Sequence, residues 1–375
     1  MRVIVGIGLL AVSAAAQQRQ VTDAEVREVH RSALLIDSHN DVTSKTVTGF
    51  DIGVRAAKGH TDVPRLREGG VGAVFFAAYV APAYAKDHTA ANRALQMIDT
   101  VRHDIVGAHP NDFIFALTAD DIVAAHKNGK IAALIGIEGG HAIEDSPRLL
   151  RDFYALGVRY MTLTHTNTNG WADSSGDMKD TTVVRHDGLN ELGRQIVHEM
   201  NRVGMMVDIS HVSDKTFWDA LETSKVPIIA SHSSCRALCN VPRNMTDDMI
   251  AALGKKGGVI QINFNCGFLR QRSADEEKRI EAAGRPAGQL RSRATLSDVV
   301  AHIDHAVKIA GIDAVGIGSD FDGVTCTPEG LDDVSKFPNL TRALLEKKYS
   351  AADIRKIYGE NLLRVMRSAE AGRGR

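Results

Sequence analysis

The sequence predicts a closed (β/α)8 barrel, and three observations carry that expectation. Eight short apolar runs are spread along the chain, most of them separated by stretches with helical periodicity. No G-x-G-x-x-G turn follows the first run. Apolar strands alternating with helices imply parallel βα units, because a parallel crossover needs a helix-sized connection. Eight such units favour a closed barrel. The absent glycine fingerprint argues against an open, doubly wound nucleotide-binding sheet.

Taken in order, the chain opens with Arg2, an apolar stretch "VIVGIGLLAV" and the small residues "SAAAQQ". This reads as a secretory signal peptide over residues 1–16, cut after Ala16 and too short to favour a membrane span. Export to a periplasm or the exterior is the expectation. Residues 17–375 then form a single barrel domain without a linker or repeat. A polar helix over Thr22–His30 leads into the first strand. The strand candidates are Leu34–Asp37, Val71–Val80, Ala132–Ile137, Arg159–Thr164, Met205–Ile209, Pro227–Ala230, Val259–Phe264 and Ala314–Ile317. Helical periodicity marks Ala90–Val106, Pro147–Leu156, Leu189–Val203 and Leu296–Ala310. The longest irregular stretches are Ser38–Thr61, Thr166–Asp187 and Phe268–Thr295, the last resembling a solvated helix. Loops that follow barrel strands lie over the active-site mouth. Thr166–Asp177, with Trp171, and Phe264–Arg270 are therefore the expected pocket walls. The C-terminal "RSAEAGRGR" is polar and basic, unlike the apolar tail of a lipid-anchor signal, so no membrane anchor is expected.

Composition narrows the partners. Forty-five basic residues nearly cancel 46 acidic ones, so no overall field attracts nucleic acid or an acidic membrane. Hydrophobic residues make up 44% of the chain, enough for a large core. The four cysteines (Cys235, Cys239, Cys266, Cys326) lack Cys-x-x-Cys spacing, which argues against a thiolate metal site. Cys239 with Cys266 is one candidate bridge; buried free thiols are the other reading.

Polar residues of metal-ligand type stand at the ends of six strands. The first strand gives His39 and Asp41 in "DSHND", whose spacing points both side chains the same way. The third gives Glu138, the fourth His165, the fifth His211, the sixth His232 and the last Asp320. In a barrel these positions converge on one mouth. Several buried charges need a common partner, and a cation supplies it. The donors are all nitrogen or oxygen, which suits zinc, with manganese or cobalt as substitutes. Five ligands (His39, Asp41, Glu138, His211 and His232) exceed the needs of one open catalytic zinc. They suit a pair ~3.5–4 Å apart, with Glu138 the natural bridge. His141 is expected to hydrogen-bond a loop, and Asp322 to play a structural role. His60, His88, His103, His109, His126, His186, His198, His302 and His305 are read as surface residues.

"DSHND", "IEGGH", "TLTHT", "DISHVS", "SHSS" followed by Arg243–Asn244, "GIGSDFDG" and "YGENLLRVM" occur in one order over about residue 30 to residue 366. Together they resemble the membrane (renal) dipeptidase family, binuclear zinc peptidases on a (β/α)8 barrel. The resemblance implies that His39, Asp41 and Glu138 hold one Zn2+ and that Glu138, His211 and His232 hold the second. It implies substrate contacts from His165 and Arg243, and an acid/base role for Asp320. A hydroxide bridging the metals is then the expected nucleophile, His165 the group facing the oxyanion, and Arg243 the holder of the substrate's carboxylate. The expected substrates are dipeptides, including those with a C-terminal D-residue, and a homodimer is the candidate assembly. The family's animal members carry a lipid anchor and a cysteine pairing that this sequence does not visibly match. Lactone or phosphoester hydrolysis on the same barrel would share the metals without requiring Arg243.

Overall fold

A computed structural model describes residues 20–284 and 290–374. The expected signal peptide lies outside the described residues. Nine strands occur among the described residues: β1 (Leu35–Asn40), β2 (Val71–Tyr79), β3 (Phe113–Phe115), β4 (Ile131–Glu138), β5 (Val158–Thr162), β6 (Met206–Asp208), β7 (Ile229–Ser233), β8 (Val259–Ile262) and β9 (Val315–Ile317). All pair in parallel, in the order β1-β2-β4-β5-β6-β7-β8-β9, and β3 attaches to β4 off this path. A parallel bridge from Asn40 to Phe321 and a bond from Ser38 Oγ to the Ile317 carbonyl (3.0 Å) join the last strand to the first. The result is a nearly closed eight-stranded barrel of the TIM type.

Each expected apolar run became a strand because its residues bury on both faces. Val74, Phe76 and Ala78 pack outward with the surrounding helices, whereas Ala73 and Phe75 join Leu134, Tyr160, Met206 and Val259 in a separate cluster. This two-sided burial is what makes a parallel strand read as a continuous apolar run. β3 escaped detection because three residues between polar neighbours give no such run. β1 and β7 run further than expected, to Asn40 and Ser233, so His39 and His232 lie within strands rather than beyond them. Sheet neighbours satisfy the backbone there, and the polar side chains do not end the ladder.

Helices cover the outside. Glu191–Val203 begins where the Asn190 side chain accepts from the Gly193 amide, and ends at Gly204 (φ 88°), a left-handed stop that glycine tolerates. Ala119–Lys127 starts with a reciprocal box between Thr118 and Asp121. The expected Ala90–Val106 helix is α-helical over Ala90–Asp99 and π-helical over Thr100–Gly107. In the stretch read as a solvated helix, Gln271–Ala282 is helical.

The cysteine expectation needs correction. Cys266 pairs with Cys326, not with Cys239; their Cα atoms lie 5.5 Å apart, within bridging range. Cys239 and Cys235 are buried free thiols. Cys239 Sγ instead faces the Gly267 carbonyl at 3.3 Å. The bridge ties the loop after β8 to the loop after β9, both at the barrel mouth. His302 is also corrected: it is fully buried, accepting from the Cys235 amide and donating to the Leu269 carbonyl, each at 3.0 Å. Among the described residues no helix is long and apolar enough to cross a membrane.

Candidate active site

The strand ends bring the expected residues together around Glu138, the last residue of β4. Leu134, Gly136 and Glu138 share one face of that strand, and Gly139 (φ 107°) turns the chain away immediately afterwards. Glu138 Oε2 lies 3.5 Å from His39 Nε2. Its Oε1 lies 3.0 Å from His211 Nε2, 3.3 Å from His232 Nε2 and 3.7 Å from His165 Nε2. His211 and His232 approach each other through their Nε2 atoms at 3.0 Å. The His39 and His232 rings stack at 3.7 Å, and His39 Nε2 is 3.3 Å from Asp41 Oδ2.

Three compact donor groups emerge: His39 with Glu138 and His232, Glu138 with His165 and His211, and His39 with Asp41 and Asp320. The five residues expected as ligands all fall within these groups, together with His165 and Asp320, but no group coincides with either expected triad. The fit to divalent cations rests on unpaired donors. His39 Nε2 and Asp41 Oδ2 are buried and, apart from facing each other at 3.3 Å, have no hydrogen-bond partner. Burying such atoms unpaired is costly, and a cation among nitrogen and oxygen donors satisfies them. The set contains no thiolate, in keeping with zinc, manganese or cobalt.

Local backbone geometry supports the convergence. His211 (φ 67°) and Asp320 (φ 61°) occupy the left-handed region, where a non-glycine residue is held only by its surroundings. The His211 carbonyl accepts from the Ser175 amide (2.8 Å) and from Ser175 Oγ (2.9 Å). Asp320 is held by its amide donating to the His39 carbonyl (3.0 Å) and by Asn263 Nδ2 donating to Oδ2 (2.8 Å).

Electrostatics follow from burial among charges. Burial pushes the Glu138 carboxyl up, but the His39 and His165 rings and the close approach of His211 and His232 outweigh it and hold Glu138 well below the usual range. Burial, then the charge of Asp41, raises Asp320 well above its usual range. Burial lowers His211 and His232 well below theirs, leaving neutral imidazoles. The Arg243 guanidinium is lowered to about 10 by burial, opposed by Asp320 and Glu138, and it stays charged at neutral pH.

Arg243 sits on the loop after β7. Its Nη1 donates to Ser233 Oγ (2.7 Å) and its Nη2 to the His232 carbonyl (2.6 Å), while Nε is buried without a partner. Phe268 lies beneath the guanidinium, 5.5 Å from ring centre to Cζ, so that part of the expected Phe264–Arg270 wall does border the site. Trp171 does not. It is fully buried against the Gly140 turn, and its loop braces His211 through Ser174 and Ser175. Asp322 is structural as expected, accepting from the His60 amide at 2.9 Å and from Lys45. His60 is thereby drawn from the surface into this contact, its Nδ1 accepting from the Asp322 amide at 2.9 Å. His141 Nε2 bonds the Val80 carbonyl at 2.9 Å.

Sequence reasoning missed Tyr79 and Asn263. Tyr79 ends β2 in register with Glu138 and meets the His165 ring edge-on at 4.8 Å. Its signal was the same as that of the histidines: a polar group closing an apolar run. Asn263 had that signal too, at the end of "VIQIN".

Comparison with known proteins agrees with this geometry. The model of the membrane dipeptidase family, peptidase family M19, matches residues 23–374. The chain belongs to this family. It is therefore a hydrolase, a dipeptidase of a metallopeptidase family. A dipeptidase of Clonostachys rogersoniana, verJ, is 39% identical over 353 residues, covering 90% of this chain and 84% of the relative. Mouse dipeptidase 3 is 35% identical, covering 93% of this chain and 68% of its own. The probable dipeptidase PvdM from Pseudomonas aeruginosa superposes with a TM-score of 0.81 at 26% identity, over 93% of this chain and 98% of that one. A metallopeptidase from Rhodobacter sphaeroides, solved with a phosphinate mimic of the dipeptide L-Ala-D-Ala, gives 0.76 at 28% identity over 90% and 99%.

Proposed function

We propose that this M19 dipeptidase is an exported, binuclear zinc enzyme that cleaves dipeptides, including those with a C-terminal D-residue. The observation that carries the reading is the gathering of five nitrogen and oxygen donors, with His39, His211 and His232 on Glu138 and Asp41 on His39, two of the five having buried atoms that make no hydrogen bond. His39, Asp41 and Glu138 would hold one ion, and Glu138, His211 and His232 the other. When bound, such ions acidify water from a pKa of about 15.7 towards about 7 and polarise the scissile carbonyl.

The remaining chemistry belongs to side chains. Asp320 takes a proton from the attacking water and returns it to the departing amine. Thr166 Oγ1 lies 3.2 Å from His165 Nδ1 and can donate to it, leaving Nε2–H to face the developing oxyanion. A preorganised donor of that kind contributes about 2.7–4 kcal/mol. Arg243 anchors the terminal carboxylate, so the distance from it to Glu138 sets substrate length. Acceptance of a D-residue is supported by the L-Ala-D-Ala mimic bound to the Rhodobacter relative, and export by the N-terminal sequence pattern.

The test is a library of L,L- and L,D-dipeptides, tripeptides, lactones and phosphotriesters on protein of measured metal content. Dipeptides should be cleaved and the other classes should not, with activity lost to a chelator and restored by zinc. Full activity in protein without a stoichiometric divalent ion would overturn the reading.

A further inference from the structure

Behind the cluster lies a second layer of buried polar groups whose hydrogen bonds fix which nitrogen of two histidines carries the proton. The Tyr160 hydroxyl is 3.0 Å from the Ser38 carbonyl, which can only accept, and 2.7 Å from His39 Nδ1. The phenol proton therefore goes to the carbonyl, and its oxygen accepts from His39 Nδ1–H. Ser231 repeats the logic. Its Oγ is 2.6 Å from Asp208 Oδ2 and 2.8 Å from His232 Nδ1. Asp208 is surrounded by donors, with the Ser231 and Ser210 amides on Oδ1 and Thr162 Oγ1 on Oδ2, so it acts as an acceptor. The Ser231 proton lies towards that carboxylate, and its oxygen accepts from His232 Nδ1–H.

We infer that Tyr160 and the Ser231–Asp208 pair are positioning residues that, with a metal bound, hold His39 and His232 in the Nδ1–H tautomer, presenting both Nε2 lone pairs to the space around Glu138. The inference rests on the reading of that space as a metal centre. An imidazole with its second nitrogen tethered cannot rotate away or present the wrong tautomer, and such outer partners tune metal affinity.

The fold makes room for this device. Gly136 on β4 stands in register with Tyr160 on β5, and a Cβ there would come within 2.0 Å of Tyr160 Cζ. The glycine lets the phenol ring cross the barrel interior and reach His39 from the opposite wall. Tyr160 is fully buried, so its hydroxyl has no solvent role.

The experiment is zinc titration, against a competing chelator, of metal-stripped wild type, Tyr160→Phe and Ser231→Ala. It is accompanied by thermal unfolding of the stripped proteins and by 15N spectra of imidazole nitrogens in the zinc-loaded wild type. Each variant should bind zinc about 10–100-fold more weakly. Because Phe keeps the ring and Ala removes one atom, the stripped proteins should unfold close to the wild-type temperature. The spectra should show His39 and His232 protonated at Nδ1 and metal-bound at Nε2. Wild-type zinc affinity in both variants, or ligation through Nδ1, would overturn the inference alone. Failure of the wild type to bind zinc would remove the metal-centre reading as well.

Discussion

Replacing Arg243 by lysine tests the contact assigned to the substrate's carboxylate. In the free protein the guanidinium is pinned by Ser233 Oγ and the His232 carbonyl, and its Nε is buried without a partner. Lysine keeps the charge but offers one ammonium in place of a planar fork. It cannot hold both anchors and also meet a carboxylate at two points. Losing one charge-assisted hydrogen bond corresponds to about 1.5–3 kcal/mol. At about 1.36 kcal/mol per decade this is roughly a 10- to 150-fold loss in kcat/KM. The carboxylate is bound equally in ground and transition states, so the loss should appear mainly in KM. Initial rates over a range of dipeptide concentrations, with metal analysis of both proteins, measure it. A dipeptide amide, which lacks the carboxylate, supplies the control: both enzymes should handle it alike. An unchanged KM for the free dipeptide, or an equal loss with the amide, would remove Arg243 from carboxylate recognition.

Three further outcomes follow from the structure. Asp320→Asn preserves the acceptor for Asn263 but not the proton carrier; kcat should fall by about 10²–10⁴ with metal content unchanged, as rate and metal assays on one preparation will show. Cys326→Ser opens a loop of sequence separation 60, for which chain entropy gives up to about 4 kcal/mol. The denaturant midpoint should drop, and an unshifted midpoint would argue that the bridge contributes no stability. His302 is lowered from 6.5 to about 4, chiefly by burial. Its folded pKa lies below the unfolded one, so its contribution is complete above pH 6.5 and is lost as pH falls towards 4. That difference amounts to about 3–4 kcal/mol at most. Urea unfolding at pH 7 and pH 4.5 should show wild type losing more stability on acidification than His302→Gln.

The barrel was legible because parallel strands buried on both faces announce themselves as apolar runs, and every expected run became a strand. The site was legible for a related reason. A carboxylate or imidazole directly after such a run, as at Glu138 or His211, conflicts with the burial around it unless function demands it. Residues without that conflict stayed hidden. Tyr160 looks like an ordinary aromatic strand residue, and only the register that sets it beside Gly136 and opposite His39 gives its hydroxyl a task. His302 looks like a surface histidine within "VVAHIDHAV", because a helical sequence does not reveal which backbone groups a buried ring will meet. The Cys266–Cys326 bridge joins two loops whose separation in space depends on β8 and β9 being neighbours.

That dependence on register bears on why the site is built at strand ends at all. Glu138, Asp41 and Asp320 bring three carboxylates into one buried region, where burial first, and then the neighbouring carboxylates, raise the pKa values of Asp41 and Asp320. His211, Asp320 and Asp322 add left-handed backbone conformations. A loop would relax away from such a concentration of charge and strain. Here His39, Glu138 and His232 lie in strands paired on both sides and closed by core, and Asp41, His211 and Asp320 follow within three residues of a strand's end. The fold therefore tolerates an arrangement that is unfavourable in the absence of a cation, and the carboxylates keep their places ready for one. The same reasoning explains why Asp320 is held by Asn263 on β8's end and by the His39 backbone on β1: its position is set by the strands on either side of its own.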